Sequence, residues 1–407
     1  MTPQLWRVIL LISLTHALVH TYELAWPSIE QEATFHFFPD DPELAKRVSG
    51  GLAGLWRLLF GGGSLLVGWL ITRNSAFHWL TAYLLGCAAC SIVAGLAPNP
   101  WVLAAGLAGT GAFAAIYHPA GLGLISQKTR PEERPMALGI HGILGSLGIA
   151  VAPLWAGLWL GAGGTWRTYL IGLAVPGVIL AAVVIWMRRQ SVGESKEEED
   201  HKADVDESTQ SMNVGILVLI AGIAATQGFV YSAQLSFLPR YLSTGALGDF
   251  NWLDGYSPNE QGKLLAAAAL LLGCLGQFVA GYFARHRLLE PQLLGVLLLN
   301  IPFLLAMGFA DGIWRLIAAG GFALVHFMYQ PVYNSLVAKR VTPRYRSFAF
   351  GASFAISLGL GFLGSIFASR FQEDRPLFCS LAFVTFVGSL VALTLTLKKS
   401  ESRREGV

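Results

Sequence analysis

The sequence predicts an all-α membrane protein with twelve transmembrane helices in two pseudo-symmetric halves of six, both termini cytoplasmic. Three observations point there: the composition, the sidedness of the basic residues and an internal repeat. Of 407 residues, 54% are hydrophobic and only 13% charged, with a mean hydropathy of +0.54. A soluble enzyme carries far more charge, so most of this chain has lipid as its solvent.

A spanning helix needs roughly 20 apolar residues. Runs of that kind extend over Leu5 to Trp26, Val48 to Ile71, His78 to Ala97, Trp101 to Ser126, Pro135 to Leu160 and Trp166 to Met187. A second set extends over Val214 to Leu242, Gln261 to Ala284, Pro291 to Ala310, Ile313 to Ala338, Ser347 to Ser369 and Pro376 to Leu397. Continuous runs of this length are helices and not barrel strands, because hydrocarbon obliges each segment to satisfy its own backbone. The first is too long for the apolar region of a secretory leader and is read as a retained helix. Pro27 to Arg47 and Ser243 to Glu260 are expected to be outer loops, long enough to cap an entrance or bind a partner.

With the N-terminus cytoplasmic, that side of the loops holds 19 Lys and Arg against 8 on the other, Arg57 being left inside a helix. This is the asymmetry that orients membrane proteins. The net charge of +3 reflects it and calls for no nucleic-acid partner. Cys87, Cys90, Cys274 and Cys379 all fall within helices, so no extracellular disulfide framework is expected, and the Cys87–Cys90 spacing reads as small-residue packing.

Between the sixth and seventh helices, Gln190 to Met212 is polar, with an acidic run from Glu197 to Asp200. Such a stretch is expected to be a disordered cytoplasmic linker. It divides the chain into a bundle over 1–189 and a bundle over 213–398, followed by a cytoplasmic tail over 399–407. A shift of 212 residues lays Tyr117-His118-Pro119 on Tyr329-Gln330-Pro331, Leu124 on Leu336, Pro131 on Pro343, Arg134 on Arg346, Gly139 on Gly351 and Pro27 on Pro239. Register held across the first, fourth and fifth helices and a loop marks structural repeats. Parallel six-helix halves of this kind resemble the major facilitator superfamily, in which the first, fourth, seventh and tenth helices line a central path.

Ionisable groups in lipid are costly, so each is a functional candidate. In the first helix His16, His20 and Glu23 recur at i, i+4 and i+7, on one face. The seventh carries Gln227, Tyr231 and Gln234, the tenth His326, Tyr329, Gln330, Tyr333 and Asn334, and the fourth Tyr117 and His118. Four polar stripes on the four path-lining helices are expected to form a substrate or proton path. His141 in the fifth helix faces either that path or a neighbouring backbone. Arg57, a fixed fork of donors, suits a substrate carboxylate or phosphate, a pairing with Glu23, or snorkelling to the outer surface.

Gly139, Gly142, Gly145, Gly148 and Pro153 in the fifth helix serve either close helix packing or a gate. The run resembles the antiporter motif of the superfamily, with Ala152 and Ala156 standing where that motif has glycine. Gly68, with Arg73 five residues on, and in the second half Gly281, with Arg285 four residues on, resemble the superfamily's loop signature without its acidic member.

The segments Ile12-Ser13-Leu14-Thr15-His16, Ala108-Gly109-Thr110-Gly111 and Tyr117-His118-Pro119, with the glycine run ending at Pro153, resemble the fosmidomycin-resistance branch. The resemblance implies a proton-driven efflux transporter of the inner (plasma) membrane. Two departures matter. Val19-His20 stands where that branch has Asn-Asp, and Ala120 where it has Glu. Glu23, with His20 and His16 or His118, is then expected to take the proton role.

The expected function is secondary active transport of a small organic molecule by alternating access, coupled to proton antiport. The alternatives are a proton-coupled importer or uniporter of a small anionic metabolite, and a divalent metal transporter using His16, His20 and Glu23. A membrane-embedded enzyme or sensor lacks support, because the chain has no nucleotide loop, nucleophile elbow or large soluble domain. No cofactor is expected, the proton gradient being the energy source. The expected partners are a small-molecule substrate and the lipid bilayer, with the chain a monomer.

Overall fold

Polar caps and prolines decide where the apolar runs become helix. The computed structural model describes residues 2–71, 76–130, 133–191, 214–245, 253–284, 288–341 and 346–404. Among them twelve helices are long and apolar enough to span a bilayer. They are α1 (Pro3–Phe37), α2 (Pro42–Gly68), α3 (Ala76–Gly95), α4 (Pro100–Ile125), α5 (Met136–Gly161), α6 (Trp166–Arg189), α7 (Val214–Ser243), α8 (Pro258–Phe283), α9 (Leu289–Phe309), α10 (Ile313–Arg340), α11 (Ala349–Ala368) and α12 (Asp374–Lys398). Thr2, Asp41 and Asn99 each accept a backbone N–H of the following turn, with proline just inside the helix. At α8 the Glu260 carboxylate accepts the Ser257 N–H instead.

Two boundaries differ from expectation. The expected outer loop after Trp26 is largely helical, since α1 continues through Pro27 to Phe37 and α2 begins at Pro42. Pro27 removes one N–H from the ladder, but Ile29 and Ala33 beyond it are fully buried. Packing therefore holds the helix where propensity alone would end it. The last helix runs to Arg404, so the tail expected from 399 begins in helix. In the expected linker, Gln190 and Ser191 close the sixth helix, and 192–212 lie outside the described residues. So do Arg73 and Arg285.

The repeat is visible in the helix interiors. α4 is interrupted just before Tyr117 and α10 just before Tyr329, two residues ahead of Pro119 and Pro331. Pro119 cannot donate to the Ala115 carbonyl, which instead accepts from the Ser64 hydroxyl of α2 at 3.2 Å.

The halves meet along two main seams, α2 against α11 and α5 against α8. On α2, Gly50, Gly54 and Gly61 lie on one stripe facing α11. A Cβ at Gly61 would stand 2.2 Å from the Gly359 nitrogen, inside a π-helical turn over Ala355–Gly359. Arg57 shares that stripe. At the end opposite the termini, here the distal end, two ion pairs join the halves. Arg240 grips Glu30 through Nε and Nη2, both at 2.7 Å, and Lys263 Nζ lies 2.6 Å from Glu32. Gln31 donates to Asn259, and Lys46 to the Phe371 carbonyl. These contacts tie the two halves together at this end.

Candidate functional site

The α1 stripe is presented to the interior by close approach of α5. A Cβ at Gly145 would lie 2.2 Å from the His16 ring, and one at Gly148 would lie 2.0 Å from the Ala17 carbonyl oxygen. These two glycines are spaces cut for α1. Gly139 and Gly281 have nothing within 4 Å, Gly68 only the Pro119 ring at 3.9 Å, and Gly142 only Gln277 of α8 at 3.7 Å. Pro153 lies inside α5 without interrupting it. Packing at the glycine run is thus the work of its second half. The 212-residue repeat sets His16 on Gly228 and Gly145 on Ser357. There the bulk is exchanged, because a Cβ at Gly228 would lie 1.9 Å from the Ser357 carbonyl oxygen.

Around His16 the structure gathers residues from three helices. His16, His20, Glu23, Tyr117, His118 and His141 are all buried. His20 Nδ1 lies 2.6 Å from Glu23 Oε2, His20 Nε2 lies 3.1 Å from His16 Nε2, and His16 Nδ1 lies 2.7 Å from the His141 carbonyl oxygen. The His16 ring stacks on that of His141 with centroids 3.9 Å apart. His118 meets the His16 ring edge-on at 5.2 Å and packs on Phe354 of α11 at 4.2 Å. The Tyr117 hydroxyl donates to the Ile12 carbonyl at 2.6 Å and lies 3.4 Å from His141 Nδ1, fixing α4 against α1 and α5.

The ligand set expected for a metal, His16, His20 and Glu23, is not the one assembled. Three ring nitrogens, from His16, His20 and His118, lie within 4.8 Å of one another. Glu23 instead faces the far nitrogen of His20. It is an outer partner that sets a histidine's tautomer.

Arg57 does not snorkel. It is 1% exposed, and its Nη1 reaches Ser236 of α7 at 3.0 Å and Ser365 of α11 at 3.3 Å. Tyr231 lies where both the Glu23 carboxylate and the Arg57 guanidinium act on it. Its ring stacks on His326 at 6.0 Å, and His326, Tyr329 and Tyr333 continue as an aromatic row along α10. Tyr231 is thus where the polar groups of the two halves meet.

The rest of the expected path divides. Gln227 turns toward α12, with Nε2 3.3 Å from where a Cβ on Gly388 would stand. Gln234 lines a separate distal cavity of about 290 Å³ with Gln31, Lys46 and Arg240. Gln330 is exposed, accepting from Gln277 at 3.4 Å, and Asn334 is half-buried. The α7 stripe therefore faces three directions.

Ser236, Ser365 and the distal pairs were not legible as site residues. Glu30 had a signal, lying seven residues beyond Glu23 on the same face. Ending α1 at Trp26 discards it.

The fold has solved relatives. An inward-facing, occupied bacterial homologue of the human lysosomal transporter Spinster is 15% identical, with a TM-score of 0.68 over 97% of each chain. The inward-open xylose transporter XylE from E. coli is 14% identical, with a TM-score of 0.73 over 96% of this chain and 95% of that one. The peptide transporter POT in complex with sulfate is 12% identical, with a TM-score of 0.73 over 97% of this chain and 94% of that one. At these identities the likeness is one of fold. No curated protein matches the sequence. Residues 22–365 match the family profile of the Major Facilitator Superfamily, and the chain belongs to that superfamily, a multi-pass secondary transporter and not an enzyme.

Proposed function

We propose that the protein is a proton-coupled transporter of a small organic molecule, with the proton carried by the buried chain Glu23–His20–His16. The observation behind this is the 3.1 Å contact between the Nε2 atoms of His16 and His20. A carbonyl oxygen can only accept, so His16 Nδ1 is an N–H, and His16 Nε2 in the neutral ring is a lone pair. The link between His20 Nδ1 and Glu23 holds one further proton. With Glu23 ionised and both rings neutral, the two Nε2 atoms would face each other lone pair to lone pair. One more proton completes the hydrogen bond and brings the chain to zero net charge.

The basic asymmetry of the loops supports cytoplasmic termini, which makes the tied distal end the external one. The cluster then lies behind an external closure, and alternation consists of opening Glu30–Arg240 and Glu32–Lys263 while the other end closes. The N-terminal segments that resemble the fosmidomycin-resistance branch supply His16, Tyr117 and His118 to this chain. The branch's own carboxylate positions do not contribute. The proton role passes instead to Glu23, within a plasma membrane and a monomer.

A divalent metal is the competing occupant of the same gap. It would have to draw His118 inward, since the three ring nitrogens spread over as much as 4.8 Å, which favours the proton. The test is flux in reconstituted vesicles under an imposed pH gradient, screening organic compounds in sets. A substrate whose flux collapses with a protonophore and in Glu23→Gln is expected. Flux indifferent to both would replace the proposal with uniport.

A further inference from the structure

The guanidinium of Arg57 is half used. Nη1 donates to Ser236 and Ser365, while Nε and Nη2 have no partner, although the side chain is 1% exposed. Those two atoms form the edge that forks onto a carboxylate or phosphate. Arg240 shows the same edge filled, taking both oxygens of Glu30 at 2.7 Å. Glu23 is the carboxylate acting on Arg57, yet it is not bonded to it; Tyr231 is set against the same carboxylate, and no hydrogen bond closes on Glu23 Oε1. Opposite charges thus act on one another with no bond between them.

We propose that the protein moves a monoanion and a proton in the same direction, the anion on the open edge of Arg57 and the proton in the Glu23–His20–His16 chain. This rests on the proton reading above and names the substrate class. The titratable and charged groups packed around the Glu23–His20–His16 chain are Arg57 on α2, Tyr117 and His118 on α4, His141 on α5 and Tyr231 on α7. Of these only Arg57 has a charge independent of pH in the working range. With no transported proton the chain carries one negative charge, which balances Arg57. With the proton bound the chain is neutral, and Arg57 requires an anion from outside. The empty site and the doubly loaded site are both neutral, whereas each singly loaded form leaves an uncompensated charge inside the bilayer.

Proton and anion therefore assist each other's binding, and by reciprocity each raises the other's affinity by the same factor. Antiport, which the family resemblance implies, needs mutual exclusion. Under an inward proton gradient the expected flux is uptake. The seat spans both halves, with Arg57 on α2 and its serine supports on α7 and α11. Separation of the halves at the distal end would open it.

The experiment is thermal stabilisation of the purified full-length chain by benzoate, lactate and dimethyl phosphate. Benzamide, lactamide and trimethyl phosphate are the neutral counterparts, compared at about pH 5.5 and about pH 7.5. A monoanion is expected to bind about tenfold tighter for each pH unit lowered above the chain's midpoint, its neutral counterpart having no effect. Glu23→Gln should hold the acid-level affinity at both pH values, and Arg57→Gln should abolish binding. If Arg57→Gln does not fold, Arg57→Lys keeps the charge without the fork and should weaken binding, and undiminished binding there overturns the seat. Monoanions that stabilise no more than their neutral counterparts overturn it as well. Arg57-dependent binding that is equal at both pH values leaves the seat and removes the proton chain. Tighter binding at the higher pH keeps the proton chain and reverses the coupling.

Discussion

His16 and His20 place their Nε2 atoms 3.1 Å apart while the far nitrogen of each ring is held by a fixed acceptor, the His141 carbonyl for one and Glu23 for the other. This arrangement ties the proton count of two rings to one carboxylate.

Glu23→Gln is expected to uncouple. The amide still bonds His20 but bears no charge, so flux of an identified substrate should lose its response to an imposed pH gradient while binding persists. Flux in vesicles with and without the gradient measures this. An unchanged gradient response in the variant removes Glu23 from the coupling.

Zinc should find no high-affinity site in the His16, His20 and His118 trio at neutral pH, because the three ring nitrogens spread over as much as 4.8 Å and do not converge on one point. Calorimetric titration of purified protein should show no stoichiometric binding. One Zn²⁺ per chain, lost in His118→Ala, would put a metal where the proton is proposed.

Within α5 the glycines should separate by position. Gly148→Ala sets a Cβ against the Ala17 carbonyl, and Gly145→Ala sets one against His16, with ideal separations of 2.0 Å and 2.2 Å. Each should cost roughly 1–3 kcal/mol through overpacking. Gly139→Ala meets open space and should be neutral or slightly stabilising, since alanine favours helix by about 1 kcal/mol over glycine. Thermal unfolding in detergent ranks the three, and equal effects would contradict the packing.

Arg240→Gln should loosen the distal closure. Losing a forked, charge-assisted bond to buried Glu30 shifts the balance toward a distal-open form by about 1–2 kcal/mol, the figure being lowered for partial exposure of Arg240. Cysteine labelling at Gln234→Cys, which lines the distal cavity, should become faster in that background. An unchanged labelling rate would mean that this pair does not hold the end shut.

Tyr117→Phe removes a bond to the Ile12 carbonyl across helices and should cost about 1 kcal/mol of stability. The pH response should be kept, because the hydroxyl lies outside the proton chain. Thermal unfolding together with the pH dependence of flux separates positioning from coupling.

Hydropathy was sufficient for twelve helices, and the 212-residue register for the matched breaks before Tyr117 and Tyr329, because each is a local or one-dimensional property. The α1 face was legible for the same reason: His16, His20 and Glu23 are neighbours along one helix. Other features needed tertiary contacts. His141 contributes a carbonyl from 125 residues away, His118 arrives from α4, Glu23 acts through His20 instead of beside it, and Arg57 is held by serines from the other half. Pro27 shows the limit most directly. Its local chemistry predicts a helix end, and burial of the following turns against both halves overrules it, carrying Glu30 to Arg240. Spacing along a helix sets which residues share a face, whereas the approach of one helix to another sets which atoms meet and so which of them hold a proton.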